Sequence, residues 1–246
     1  MAAGNAFSRR EALSLFGLAG GAAAASAAAG APSEAAAAAA RRQYVFGYGS
    51  LIERESRIAT WPSATGAAPV FVRGIARGWF DQTDVPSWNP TYLGAVAKPG
   101  ALCNGVIFAV SPAEFAAFAE RETGYRPTRI ARSQVTMLDG NPAPAGDIWY
   151  FANTQKRFAS DEHPIVQSYV DVCLDGCLEI EATYPLARAT GFAKRFITTT
   201  SHWGPPWVND RIYPWRPFVY VPRAFAIDAL IREVLGEAVF ARITLR

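Results

Sequence analysis

The chain has 246 residues, half of them apolar, with 18% charged, 13% aromatic and a net charge of +3. That length allows one ordinary domain or two small ones, and the apolar and aromatic content excludes an intrinsically disordered chain. From position 43 onward 20 basic residues face 19 acidic ones, which excludes a surface built to grip a nucleic-acid backbone by charge.

Residues 1–42 differ from the rest. They hold 19 alanines, no Tyr, Trp, Val or Ile, and the basic excess of Arg9, Arg10, Arg41 and Arg42 over Glu11 and Glu34. Ser8-Arg9-Arg10-Glu11-Ala12-Leu13 sets two arginines before an uncharged stretch that runs to Ser33, with small-x-small cleavage points at Ala25-Ser26-Ala27 and Ala29-Gly30-Ala31. This order resembles a twin-arginine export signal. A helix belonging to the domain fits less well, because the stretch has no two-faced periodicity and Gly17, Gly20 and Gly21 would each weaken it by about 1 kcal/mol. Ala and Gly also contribute too little transfer energy for a permanent membrane span, and the leader has no Cys for a lipid anchor. The expectation is a signal peptide over 1–31, a disordered Ala-rich tether over 32–42 and a domain over 43–246. The product would be periplasmic or exported, soluble after cleavage, with the twin-arginine machinery as a transient partner.

From Gln43 the pattern alternates strands, helices and loops without a repeat. Tyr44-Val45-Phe46 predicts a short strand ending in the glycine-bearing loop Gly47-Tyr48-Gly49-Ser50. Further strands are expected over Pro69–Arg77, Tyr92–Lys98 and Val106–Val110, the last after a turn or bulge at Asn104-Gly105. Ser111-Pro112-Ala113-Glu114 carries a capping box with proline at the first helical position, so a helix starts there and runs to near Gly124. Strands over Arg129–Leu138 and Asp147–Ala152 come next. A helix follows over Pro164–Leu178, and another over Leu186–Thr199 is interrupted at Gly191. A Pro/Trp-rich loop from Trp203 to Pro217 precedes a terminal helix around Ala224–Leu235. Strands first and helices later predict an α+β single domain, a small mixed curved sheet or β-barrel with surrounding helices. Cys173 and Cys177 share a helical stripe with Val166, Tyr169 and Val170 and read as core thiols, and three cysteines are too few for a disulfide scaffold.

The chemistry narrows by elimination. His163 and His202 are the only histidines and have no ligand spacing to other metal-binding residues, so no metal site is expected. There is no Gly-x-Ser-x-Gly elbow and no phosphate-binding Gly-x4-Gly-Lys loop, and Gly47-x-Gly49 lacks the third glycine of a dinucleotide fingerprint, Ile52 standing in its place. What remains is a loop and a carboxylate. The glycines of the Tyr48–Leu51 loop let the backbone aim N–H groups at a carboxylate or a developing oxyanion. A carboxylate at the far end of the capped helix, Glu120 or Glu122, meets the negative end of the helix dipole, which favours proton transfer near neutral pH.

At these residues the sequence resembles the γ-glutamylcyclotransferase superfamily, in its ChaC-like/AIG2-like bacterial branch. Tyr48-Gly49-Ser50 matches the family's strand-following Tyr-Gly-Ser. Phe118-Ala119-Glu120-Arg121-Glu122-Thr123-Gly124-Tyr125 matches the run that ends in its catalytic glutamate, and this alignment selects Glu122. Ile165–Asp171, Gly176-Cys177-Leu178 and Trp207-Val208-Asn209-Asp210-Arg211 look similar as well, so the resemblance runs from about Tyr44 to Pro214. Ala119 stands where an Asp is common, and Arg77-Gly78-Trp79-Phe80 replaces the Arg-Arg-Phe-Trp of glutathione-specific members. The resemblance implies a γ-glutamylcyclotransferase-like fold and no cofactor. It further implies Glu122 as acid/base, with Tyr48, Gly49, Ser50, Leu51 and Tyr125 holding a small γ-glutamyl substrate such as glutathione. The reaction would release 5-oxoproline and a free amine. Other γ-glutamyl amides, or carboxylate binding without turnover, are the alternatives. Asn209-Asp210-Arg211 reads either as a lid or as an internally hydrogen-bonded loop.

Overall fold

In the computed structural model, which describes residues 42–82, 89–121, 124–215 and 223–245, the run Tyr44-Val45-Phe46 lies inside a sheet. The strands are β1 (Gln43–Gly47), β2 (Ala68–Asp81), β3 (Tyr92–Val110), β4 (Tyr125–Ile130), β5 (Val135–Met137), β6 (Asp147–Asn153), β7 (Ile165–Val166), β8 (Thr200–Ser201), β9 (Trp207–Asn209) and β10 (Thr244–Leu245). The helices are α1 (Arg54–Thr60), α2 (Pro112–Arg121), α3 (Gln167–Thr183), α4 (Pro185–Ala189), α5 (Phe192–Thr198), α6 (Ala224–Leu235) and α7 (Glu237–Phe240). The described residues belong to one unit, Arg42–Arg246. The expected signal peptide and nearly all of the tether lie outside the described residues.

The main sheet has the order β4-β6-β1-β3-β2-β5, with β8 beside β2. β1 pairs antiparallel with β3 and parallel with β6, which buries its apolar run from both sides. The curvature follows from connectivity. β4 and β5 lie at opposite edges, yet only residues 131–134 separate Ile130 from Val135. Five residue steps span at most about 18 Å, whereas five strand spacings in a flat sheet need about 24 Å. The sheet therefore curls its edges together, and because β4 and β5 do not pair it remains an open curved sheet and not a closed barrel. The amide of Gln134 shapes this crossing by accepting from Ala131 N (2.8 Å) and donating to Arg73 O (2.9 Å). For this reason the strand expected over Arg129–Leu138 is two strands with a helical turn between them.

Three other expectations shift for physical reasons. Asn104-Gly105 is not a turn, since both residues pair in register with Phe71 and Val70. Gly105 is needed because a Cβ there would strike the Gly47 carbonyl and the Phe46 ring. The real interruption of β3 is at 98–101, which bulge opposite Gly74, and both Gly74 (φ 86°) and Gly100 (φ 79°) are left-handed. The long helix starts at Gln167 because Ile165-Val166 pair with Trp207-Val208, and it continues to Thr183, where Pro185 forces Tyr184 into an extended conformation. The break at Gly191 is as expected, with φ 63° between α4 and α5.

The core has two parts. On one face of the sheet α3, α5 and α6 pack over Val45, Trp79, Leu93, Val106 and Phe108. A smaller cluster around Phe46, Val70, Ile107 and Ile148 fills the inside of the curve. Cys103, Cys173 and Cys177 are buried in the core and form no disulfide with one another.

Candidate active site

β1 leaves the sheet at Gly47, and only glycine permits the turn that follows. A Cβ on Gly47 would lie 2.7 Å from Leu51 Cβ and 3.2 Å from the Phe108 ring. Every carbonyl of the loop beyond it accepts a hydrogen bond, three from arginines and two from the loop's own following amides. Arg77 Nη1 donates to Tyr48 O (2.9 Å), Ile52 N to Gly49 O (3.0 Å) and Glu53 N to Ser50 O (3.2 Å). Arg57 Nη1 donates to both Leu51 O (3.1 Å) and Ile52 O (3.0 Å). In a trans peptide the N–H points opposite to the C=O, so the Arg77 bond to Tyr48 O turns the Gly49 N–H away from the guanidinium. Gly49 is buried, and its N–H makes no hydrogen bond among the described residues. α3 closes over the loop: a Cβ on Gly176 would lie 2.5 Å from Glu53 N, and a Cβ on Gly49 would lie 3.0 Å from the Tyr169 hydroxyl.

Beyond the end of β1, the neighbouring strands meet through polar side chains. Asn153 Oδ1 accepts from Ala95 N (2.8 Å), which bridges β6 to β3 where β1 no longer separates them, and its Nδ2 donates to Asp81 Oδ1 (2.8 Å). Tyr125, the partner of Asn153 in the β4–β6 register, donates its hydroxyl to Asp81 Oδ2. Asp81 is buried at the end of β2. The Tyr48 side chain packs with Phe46 and donates to Phe151 O (2.8 Å). Burial, with Tyr125 and Asp81 nearby, pushes its hydroxyl pKa well above the ordinary tyrosine value. Tyr48 therefore remains protonated, and what it offers a ligand is backbone.

The expected site residues Tyr48, Gly49, Ser50 and Leu51 form one loop, and Tyr125 belongs to the adjoining Asp81–Asn153 cluster. Glu122 lies outside the described residues. The helix before it begins as the capping box predicts, with Glu114 N donating to Ser111 Oγ (3.2 Å) and Ser111 N donating to Glu114 Oε2 (3.1 Å). Sequence reasoning missed Asp81, Asn153 and Tyr169. The available signal was a polar residue closing an apolar run, Asp81 after Trp79-Phe80 and Asn153 after Phe151-Ala152.

Asn209-Asp210-Arg211 is an internally bonded loop. Asp210 accepts from Ser168 N (2.7 Å), Ser168 Oγ (2.6 Å) and Trp215 N (2.7 Å). It thereby caps α3, whose own N-cap residue, Val166, has no side-chain acceptor. Arg211 binds Asp171 through Nε (2.7 Å) and Nη2 (2.8 Å), and Asp228 through Nη1 (2.9 Å) and Nη2 (2.8 Å). These contacts set the first turn of α3 and hence the place of Tyr169. The His163 ring shares a hydrogen bond with Asn89 O (2.9 Å), and His202 packs against Phe158. Among the described residues no group of three or more His, Cys, Asp or Glu could hold a metal ion, and no helix is long and apolar enough to cross a membrane.

No family model and no curated protein matches the chain. Among solved structures, a γ-glutamyl cyclotransferase is similar at 14% identity and a TM-score of 0.48, over 64% of this chain and 88% of that one. An uncharacterised human protein is similar at 16% identity and a TM-score of 0.46, over 61% and 87%. A yeast γ-glutamyl cyclotransferase specific to glutathione is similar at 13% identity and a TM-score of 0.38, over 66% and 98%. Likeness at this level carries no conclusion about activity.

Proposed function

We propose that this chain is a γ-glutamylcyclotransferase that closes a small γ-glutamyl compound to 5-oxoproline and releases the free amine. The α-amine attacks the γ-carbonyl of the same molecule, a C–N bond forms within the ring, and the bond to the leaving nitrogen breaks. Nucleophile and electrophile are already joined, so the protein has mainly to hold a cyclisation-ready conformer. Glu122 takes the ammonium proton and returns it to the leaving nitrogen. The observation that carries this reading is the Tyr48–Leu51 loop. Its carbonyls all accept hydrogen bonds, that of Tyr48 from the buried Arg77, and the buried Gly49 N–H makes no hydrogen bond among the described residues. Such a loop suits the carboxylate that a γ-glutamyl group carries.

The twin-arginine leader supports export as a proposal that rests on sequence alone. For the reaction, purified protein should release 5-oxoproline from one or more members of a γ-glutamyl peptide and amine panel. Glu122→Gln should lower turnover by at least about 100-fold, the low end for acid–base catalysis, with an unchanged thermal midpoint. Wild-type turnover in Glu122→Gln would overturn the mechanism. Saturable binding without turnover in the wild type would make the protein a binder instead.

A further inference from the structure

Arg77 has no exposed surface, although it carries a full charge. Its donors reach Thr200 Oγ1 (2.7 Å), Tyr48 O (2.9 Å), Asn104 O (2.8 Å), Asn104 Oδ1 (2.9 Å), Phe196 O (2.8 Å) and Thr199 Oγ1 (3.2 Å). The guanidinium also lies 3.8 Å from the centre of the Phe196 ring. All of these partners are neutral, and among the described residues no carboxylate pairs with it. An isolated buried charge is costly unless an opposite charge answers it. One bond leads to a place where an anion could do so. Arg77 donates to the Tyr48 carbonyl, and the same trans peptide carries on its opposite side the Gly49 N–H, which has no partner among the described residues. Guanidinium, carbonyl, N–H and an anion in front of Gly49 would form a line in which each hydrogen bond polarises the next. By standard peptide and hydrogen-bond dimensions the two charges would lie roughly 7–8 Å apart, within a Debye length of about 10 Å and with little water between them.

We propose that Arg77 is a positioning residue whose buried, unneutralised charge acts through the Tyr48–Gly49 peptide to select a ligand carboxylate at Gly49 N–H. This rests on the reading above, in which the loop receives the α-carboxylate of a γ-glutamyl substrate, a group that 5-oxoproline retains.

The test measures equilibrium binding of 5-oxoproline and of its uncharged carboxamide by calorimetry. Wild type should prefer the acid by about tenfold or more, the scale of one unscreened charge interaction. Arg77→Gln should reduce that preference to within about threefold, and Arg77→Lys, which keeps the charge, should retain most of it. Asn104→Asp decides between charge and scaffolding. It sets a carboxylate against Nη2, where the Asn104 oxygen now sits at 2.9 Å, and gives up the bond from Asn104 Nδ2 to Phe192 O (2.7 Å); Asn104→Ala, which loses that bond without adding a charge, is the control and should keep the acid preference. Loss of acid preference in Asn104→Asp supports the proposal, and its retention shows Arg77 to be a mere strut. A wild type without acid preference also overturns it. Where turnover is measurable, Arg77→Gln should raise KM about tenfold with kcat within about threefold, the pattern of lost uniform binding. Acid preference that depends on Arg77, with no turnover of any γ-glutamyl compound, would sustain this proposal while removing the cyclotransferase reading.

Discussion

Arg77 and Arg211 are both buried or partly buried and both use their whole donor fork, yet they do different work. Arg211 faces two carboxylates, Asp171 and Asp228. Burial pulls its pKa down, but the hydrogen bonds and charges of the two aspartates outweigh that and hold it above the ordinary arginine value. On the alkaline side its stabilising contribution is thus lost only in strong alkali. Arg77 is the more deeply buried and faces carbonyls, hydroxyls and an aromatic ring. Arg77 makes six side-chain hydrogen bonds and Arg211 four, but it is not the number that sets their roles apart. Charge balance does: a neutralised arginine fastens one element to another, whereas an unneutralised one projects a field through whatever peptide it touches.

The largest effect should come from opening the neutralised site. Arg211→Met leaves Asp171, whose side chain is 3% exposed, with Gln167 as its remaining donor among the described residues. The expected loss is about 3 kcal/mol in urea unfolding, at the low end for breaking a buried pair by removing one partner. Adding Asp171→Asn should recover a good part of that, because the orphan charge is then gone. A loss below about 1 kcal/mol would mean that solvent already screens the clamp, as in a surface pair, and the contrast with Arg77 would collapse.

The same contrast explains what could be read from the chain alone. Features set by near neighbours were legible: the strand running into Tyr48-Gly49-Ser50, the capping box of Ser111 and Glu114, and the helix break at Gly191. Features whose partners are distant in sequence were not. Asp81 finds Tyr125 44 residues away and Asn153 72 residues away. The cap of α3 comes from Asp210, 42 residues beyond Ser168. Asn104-Gly105 has the composition of a turn, but its role is tertiary: Asn104 holds Arg77, and Gly105 makes room for Gly47 and Phe46. The Tyr48–Leu51 loop itself was legible from its glycines, while the guanidinium behind it became visible only once the strands were paired.

A smaller effect should follow from altering the front of the Arg77 peptide. Gly49 stands on the far side of that peptide, with φ −131° and ψ −129°. A Cβ there would lie 3.0 Å from the Tyr169 hydroxyl, close enough to push the side chain aside. Gly49→Ala should therefore cost about 1–2 kcal/mol of stability, the low end for overpacking, and lower kcat/KM by about tenfold, worth about 1.4 kcal/mol. Adding Tyr169→Phe should relieve the crowding. If Gly49→Ala alone keeps full activity, nothing is held at the Gly49 N–H and Arg77 has no anion to select.

The smallest effect belongs to an ionised group with neutral partners that remains in contact with water. Glu114 accepts from Ser111 and Ser63. Burial raises its pKa, but these hydrogen bonds outweigh it and hold the carboxyl below its ordinary value. A carboxylate depressed on folding contributes stability above its unfolded pKa and loses it as pH falls through the folded one. Ser111→Ala should cost about 1 kcal/mol near pH 7, the usual worth of an N-cap, and the deficit of Glu114→Gln should shrink as pH falls below the ordinary carboxylate range. Neither change should alter the acid-over-carboxamide preference. Glu114 resembles Arg77 in having no ionic partner among its bonded neighbours and differs in its exposure. If its removal shifted that preference as much as Asn104→Asp does, burial would not be what gives Arg77 its reach.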